Sequence, residues 1–202
     1  VGAGLLVAVA VVGLYLAWRP GATFVDRWGL QLVHRSRTPV LVDVTSLRYP
    51  AVIVVGAVLV AALAFPTDRL RALSCLVSPP LALATCELVV KPLVGRHIGT
   101  GLSYPSGSAV GAAALSSALV LAVPRRWRHA TLVVAIGYTL WMSVAVVALG
   151  WHYPTEALAG AAWGVGVVLA VDGTVWRTAG WLRAKGLGHR PTPSGVAPSG
   201  GD

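Results

Sequence analysis

His152 and Glu156 stand four residues apart, one helical turn, so the carboxylate can accept from one imidazole nitrogen and leave the other facing a cavity. A histidine held in this way is a nucleophile or a base fixed in one tautomer. The surrounding run, Gly150 to Glu156 with Trp151, Tyr153 and Pro154, equally suits an interfacial belt that anchors a helix among headgroups. Pro105-Ser106-Gly107-Ser108 opens a second apolar run. Ser106 reads as its N-cap, and the amides of Gly107, Ser108 and Ala109 then lie unpaired at the positive end of a helix dipole, where an anion is favoured. Taken alone, the same residues also simply start a helix. Lys91 and Arg96 bring two cations close to that start, which suits phosphate, although basic residues at helix ends also snorkel. Glu87, one turn before Lys91, is expected to pair with it in a structural role. His97 adjoins Arg96 in the same loop, whereas His34, His129 and His189 have no carboxylate at a useful spacing and read as bystanders.

The elements that must position these groups are apolar. Of the 202 residues, 56% are hydrophobic and 11% charged, and the mean hydropathy is +0.74, which points to a membrane protein rather than a soluble domain. The net charge of +9 does not indicate nucleic acid, because the arginines sit at the ends of apolar segments instead of forming a patch interleaved with aromatics. Cys75 and Cys86, separated by about 16 Å along a helix, are too far apart to bridge and read as small core residues. No cysteine spacing suggests a metal, and neither metal nor cofactor is expected.

Runs near the length needed to cross a bilayer fall at about 2 to 18, 50 to 66, 72 to 90, 107 to 123, 130 to 149 and 155 to 172. The expected fold is therefore all-α, a polytopic bundle of about six transmembrane helices. Residues 2 to 18 read as a retained helix, since neither a basic stretch nor a small-residue cleavage pattern flanks them. Pro79-Pro80 should kink or break the third span. Residues 1–49 are read as the first helix with an interfacial segment that includes a short amphipathic helix, and 50–175 as the membrane core. Residues 176–202 are read as a basic, Gly/Pro/Ser-rich cytoplasmic tail, expected to be mobile. The distribution of Lys and Arg puts Arg69, Arg71, Arg125, Arg126 and Arg128 with the C-terminal basic residues on the cytoplasmic side. Both termini are then cytoplasmic, and the 91–106 and 150–156 loops share the outer face of the cell membrane.

Over roughly residues 50 to 172 the order of these segments resembles the type 2 phosphatidic acid phosphatase superfamily of membrane lipid phosphatases. That family carries Lys, six residues, then Arg-Pro; next Pro-Ser-Gly-His; and last Ser-Arg, five residues, His, three residues, Asp. Lys91 matches the first lysine, Ile98 and Gly99 occupy the Arg-Pro positions, and Arg96 two residues earlier is the stand-in. Pro105, Ser106 and Gly107 match the second motif, with Ser108 at the histidine position. His152 and Glu156 fall on the third motif's His and Asp, and Ala145 and Val146 on its Ser-Arg. The resemblance implies a nucleophilic His152 oriented by Glu156, and phosphate held by Lys91, Arg96, Ser106, Gly107 and Ser108. His97 is the candidate substitute for the missing acid. It further implies hydrolysis of a lipid phosphate or isoprenyl diphosphate through a phosphohistidine. The alternative is an inactive relative that binds a lipid phosphate or a partner membrane protein, since loss of a positioned general acid costs about 10²- to 10⁴-fold.

Overall fold

The computed structural model describes residues 1–185 except 20, 34, 36, 37 and 46–48. The tail at 186–202, with His189 and Arg190, lies outside the described residues, as do His34, Arg37 and Arg48. In chain order the helices are α1 (Gly2–Ala17), α2 (Phe24–Leu32), α3 (Pro39–Thr45), α4 (Pro50–Ala64), α5 (Arg69–Thr85), α6 (Lys91–Val94), α7 (Gly107–Ala122), α8 (Arg128–Ala148) and α9 (Pro154–Ala184). A two-residue antiparallel pairing joins β1 (His97–Ile98) to β2 (Gly101–Leu102).

The fold is an all-α membrane bundle. Each expected apolar run is a helix: α1, α4, α5 with its continuation, α7, α8 and α9. Arg69–Val94, Arg125–Ala148 and Pro154–Ala184 are long and apolar enough to cross a membrane, and α1, α4 and α7 are shorter apolar helices. Large side chains such as Val55 and Leu59 on α4 and Val133 and Val134 on α8 face outward, as they do where lipid rather than water is the solvent.

The centre of the bundle is α7, whose sequence GSAVGAAALSSALVLA is almost all small residues, most of them buried. Small side chains let α4, α5, α8 and α9 all pack on it. The tightest approach is to α9. A β-carbon on Gly160 would run into the Ser106 carbonyl, and one on Gly164 would stand 2.5 Å from the Val110 carbonyl oxygen and 3.0 Å from the Ala114 nitrogen. Only glycine leaves room for this backbone-to-backbone seam.

The prolines do not end the third span. Pro79 and Pro80 lie inside α5, because in a membrane bundle neighbouring helices and side chains can satisfy the carbonyls that prolines leave without an amide donor. The irregularity comes later, where Cys86–Val90 forms a π-helical turn that leads into α6. Gly95, at φ 63, then stops the helix in the left-handed region.

At the opposite end of the bundle α9 extends to Ala184, well past the expected 172. There Asp172 receives Arg71 Nη1 at 3.3 Å and Ser74 Oγ at 3.0 Å, so its charge is paired across the helices. Cys75 and Cys86 are buried and unbridged.

The amphipathic element expected within 19–49 is α2. Thr23 and Asp26 cap its start reciprocally, with Asp26 N to Thr23 Oγ1 at 3.1 Å and Thr23 N to Asp26 Oδ2 at 2.9 Å. Phe24, Val25, Trp28 and Leu32 are exposed, an apolar face suited to the headgroup boundary. Gly29 lies against Pro154, at the first turn of α9.

Candidate functional site

Three chain segments meet at one end of the bundle. The π-helical turn carries Glu87 into α6, the loop after β2 leads to the start of α7, and the turn after α8 leads into α9. That last turn is built by Gly150 at φ 74, with Trp151 N donating to the Val146 carbonyl at 3.0 Å. Ser106 N donates to the Glu156 carbonyl at 3.0 Å, tying the start of α7 to the first turn of α9.

Glu156 is fully buried and collects three hydrogen bonds and one ion pair. Its Oε1 receives Ser103 Oγ at 2.8 Å and faces Arg96 Nε at 3.3 Å. Its Oε2 takes His152 Nδ1 and Tyr153 N, both at 3.1 Å. A carboxylate surrounded by donors can only accept, so His152 Nδ1 carries the proton and Nε2 keeps its lone pair. His152 lines a cavity of about 350 Å³ shared with Tyr49, Pro50, Leu83, Glu87, Lys91, Gly107 and Ser108.

Of the residues expected to form the site, Lys91, Gly107, Ser108 and His152 thus meet around one cavity, with Glu156 behind the histidine. Ser106 holds the N-cap position, but its hydroxyl is buried without a partner and does not cap the helix. Arg96 is turned away from the cavity. Its guanidinium is buried between two carboxylates, with Nη2 at 3.2 Å from Asp26 Oδ2 and 2.8 Å from the Gly21 carbonyl. The Tyr153 ring lies beneath it, 4.8 Å away. His97 is exposed, with Nδ1 at 2.8 Å from the Gly95 carbonyl, and is not among the cavity-lining residues.

Several groups had no role in the sequence reading. Asp26 joins the site from α2: it accepts Thr155 N at 2.9 Å and pairs with Arg96. Burial opposes its ionisation, but hydrogen bonds from Thr155 and Thr23 outweigh that and hold its carboxyl below the ordinary value. The Thr23-x-x-Asp26 pattern signalled a cap, and nothing local announced a partner seventy residues away. Arg35 reaches the loop before His152, its guanidinium carbon 3.9 Å from where a β-carbon on Gly150 would stand.

Glu87 pairs with Lys91 as expected, at 2.8 Å. Its carboxylate also lies over the first turn of α7, because a β-carbon on Gly107 would run into Glu87 Oε1. Among the described residues no cluster of three or more His, Cys, Asp or Glu side chains is arranged to hold a metal ion.

A histidine with one free nitrogen, a lysine and a helix start around one cavity can receive a phosphate and attack it. The family model described as the PAP2 superfamily matches residues 5–179 of the chain. No curated protein and no solved structure matches it.

Proposed function

The chain belongs to the PAP2 superfamily, and from that membership we propose that it is a membrane lipid phosphatase acting through a phosphohistidine on His152 at the outer membrane face. Membership supports a phosphatase-like function on lipid phosphates in general. The observation that carries the finer reading is the His152–Glu156 pair: Nδ1–H on the carboxylate leaves Nε2 free toward the cavity that Lys91 and the start of α7 also face.

In this reading the terminal phosphoryl group rests against Lys91 and the amides of Gly107 and Ser108. Nε2 attacks phosphorus while Nδ1 keeps its proton, so the imidazole ring becomes cationic as the nitrogen–phosphorus bond forms. Glu156 stabilises that charge, because the buried cluster behind it holds one cation, Arg96, between two carboxylates. An isoprenyl diphosphate is the better substrate, since its leaving group is a phosphate and needs little proton assistance. A lipid phosphomonoester is slower.

A second reading, a silent relative that binds a lipid phosphate, has one observation in its favour. Lys91 is already paired with Glu87, and position 108 carries Ser instead of an acid. Phosphate release from both lipids in liposomes separates the two readings. Turnover by the wild type that is abolished in His152→Ala supports the phosphatase, and binding without turnover supports the silent relative. Activity that survives His152→Ala sinks the proposed nucleophile.

A further inference from the structure

Resting on the phosphatase reading, we propose that Glu87 is the general acid of this site, delivering the proton that lets a lipid phosphomonoester leave as an alcohol. Three observations place it in that role. Glu87, Lys91 and His152 line the same cavity. Gly107 is the only residue type that leaves space for the Glu87 carboxylate over the first turn of α7, beside Ser108, where the acid is missing. Within the ion pair Lys91 is 11% exposed and Glu87 41%, so an incoming headgroup meets the carboxylate before it meets the ammonium. The π-helical turn at Cys86–Val90 sets this presentation, and such turns recur at functional sites.

His97 and Ser108 are the other candidates near the gap. His97 is turned onto the Gly95 carbonyl outside the cavity, and a serine hydroxyl is too weak an acid to donate near neutral pH. Glu87 is the carboxylate on the cavity wall, whereas Glu156 is wholly engaged behind His152.

At rest Glu87 is ionised against Lys91. A phosphomonoester loses its second proton near pH 6, so part of it arrives as a monoanion. As Lys91 shifts to the phosphate oxygens, Glu87 is released from the ion pair and takes the substrate's proton. Nε2 of His152 then forms its bond to phosphorus as the phosphorus–ester oxygen bond breaks. The ester oxygen keeps that electron pair and takes the proton from Glu87, leaving as a neutral alcohol. In the second half, which is common to both lipids and does not use Glu87, water attacks phosphorus and passes its second proton to a phosphoryl oxygen. The nitrogen–phosphorus bond breaks with its electrons returning to Nε2, and dihydrogen phosphate departs with both of the water's protons.

The test compares full-length wild type and Glu87→Gln in liposomes, using an isoprenyl monophosphate and the diphosphate of the same tail. Loss of a positioned acid predicts a fall of about 10²- to 10⁴-fold in monophosphate kcat, with diphosphate turnover kept within about tenfold. The retained diphosphate activity also reports that the variant is folded. Equal losses on both substrates would mean that Glu87 only positions Lys91, and an unchanged monophosphate rate would mean that it has no role; either overturns the acid while leaving the phosphatase reading intact. Failure of the wild type to turn over either lipid, or full activity in His152→Ala, removes the premise and the acid with it.

Discussion

Replacing Glu156 with glutamine tests whether the buried carboxylate fixes the tautomer of His152. Both oxygens of Glu156 are engaged: Oε1 accepts from Ser103 and forms an ion pair with Arg96, and Oε2 accepts from His152 and Tyr153. An amide has one oxygen and one NH2. If the NH2 replaces Oε2, it faces the Tyr153 amide and drives the histidine proton to Nε2, the nitrogen that must attack. If it replaces Oε1, it confronts the Arg96 guanidinium, and the ring loses the negative charge that stabilises its cationic adduct. Exchanging such a carboxylate for its amide lowers turnover by about 10⁴-fold where a carboxylate–histidine pair performs acyl transfer, and a loss of about 10³- to 10⁴-fold in kcat is expected here. Stability should change far less, because Arg96 keeps Asp26 and the cluster moves toward neutrality; the cost stays below the roughly 3–5 kcal/mol of breaking a buried pair outright. The assay is steady-state phosphate release from isoprenyl diphosphate in liposomes, alongside thermal unfolding followed by tryptophan fluorescence. Turnover within threefold of wild type would refute the tautomer argument. A loss of activity matched by collapse of the fold would refute the separation of catalysis from stability.

Other perturbations address the supports of the site. Arg96→Ala leaves Asp26 and Glu156 buried without their cation and should destabilise the protein by about 3–5 kcal/mol, read as a lower unfolding temperature in detergent. Asp26 has a depressed folded-state carboxyl, so its stabilisation is present above the ordinary unfolded value near 3.9 and is lost as pH falls through the lower folded value. The stability gap between wild type and Asp26→Asn, measured by urea unfolding, should therefore shrink on acidification below about pH 4. Gly164→Leu forces α7 and α9 apart where Val110 and Ala114 backbone atoms leave no room, and should abolish phosphate release together with thermal stability. Ser108→His should raise monoester turnover, and more so in the Glu87→Gln background.

How far the sequence anticipates the structure depends on the range of the signal. Apolar run length is a local property, so all six apolar helices were legible, as was the one-turn spacing of His152 and Glu156. The pairing of Arg96 with Asp26 was not legible because Asp26 lies in a separate amphipathic segment, and a basic residue beside a helix start looks alike whether it faces a ligand or a buried carboxylate. Ser106 sits at the N-cap as its type suggests, yet its side chain is buried and caps nothing. The Gly160-x-x-x-Gly164 spacing was present to be read and marks the tightest seam of the bundle. The π-helical turn had no sequence mark beyond the prolines upstream, so the aim of Glu87 across Gly107 emerged only in three dimensions.

The seam between α7 and α9 also bears on how the protein is made. Membrane helices are synthesised in chain order, and α9 is the last helix among the described residues. A nascent chain inserted through α8 already holds the start of α7, but it has no Glu156, and Ser106 N has no Glu156 carbonyl to bond. The histidine is not held in its reactive tautomer until Gly160 and Gly164 dock on Val110. On the proposed mechanism, a product truncated before α9 should therefore release no phosphate.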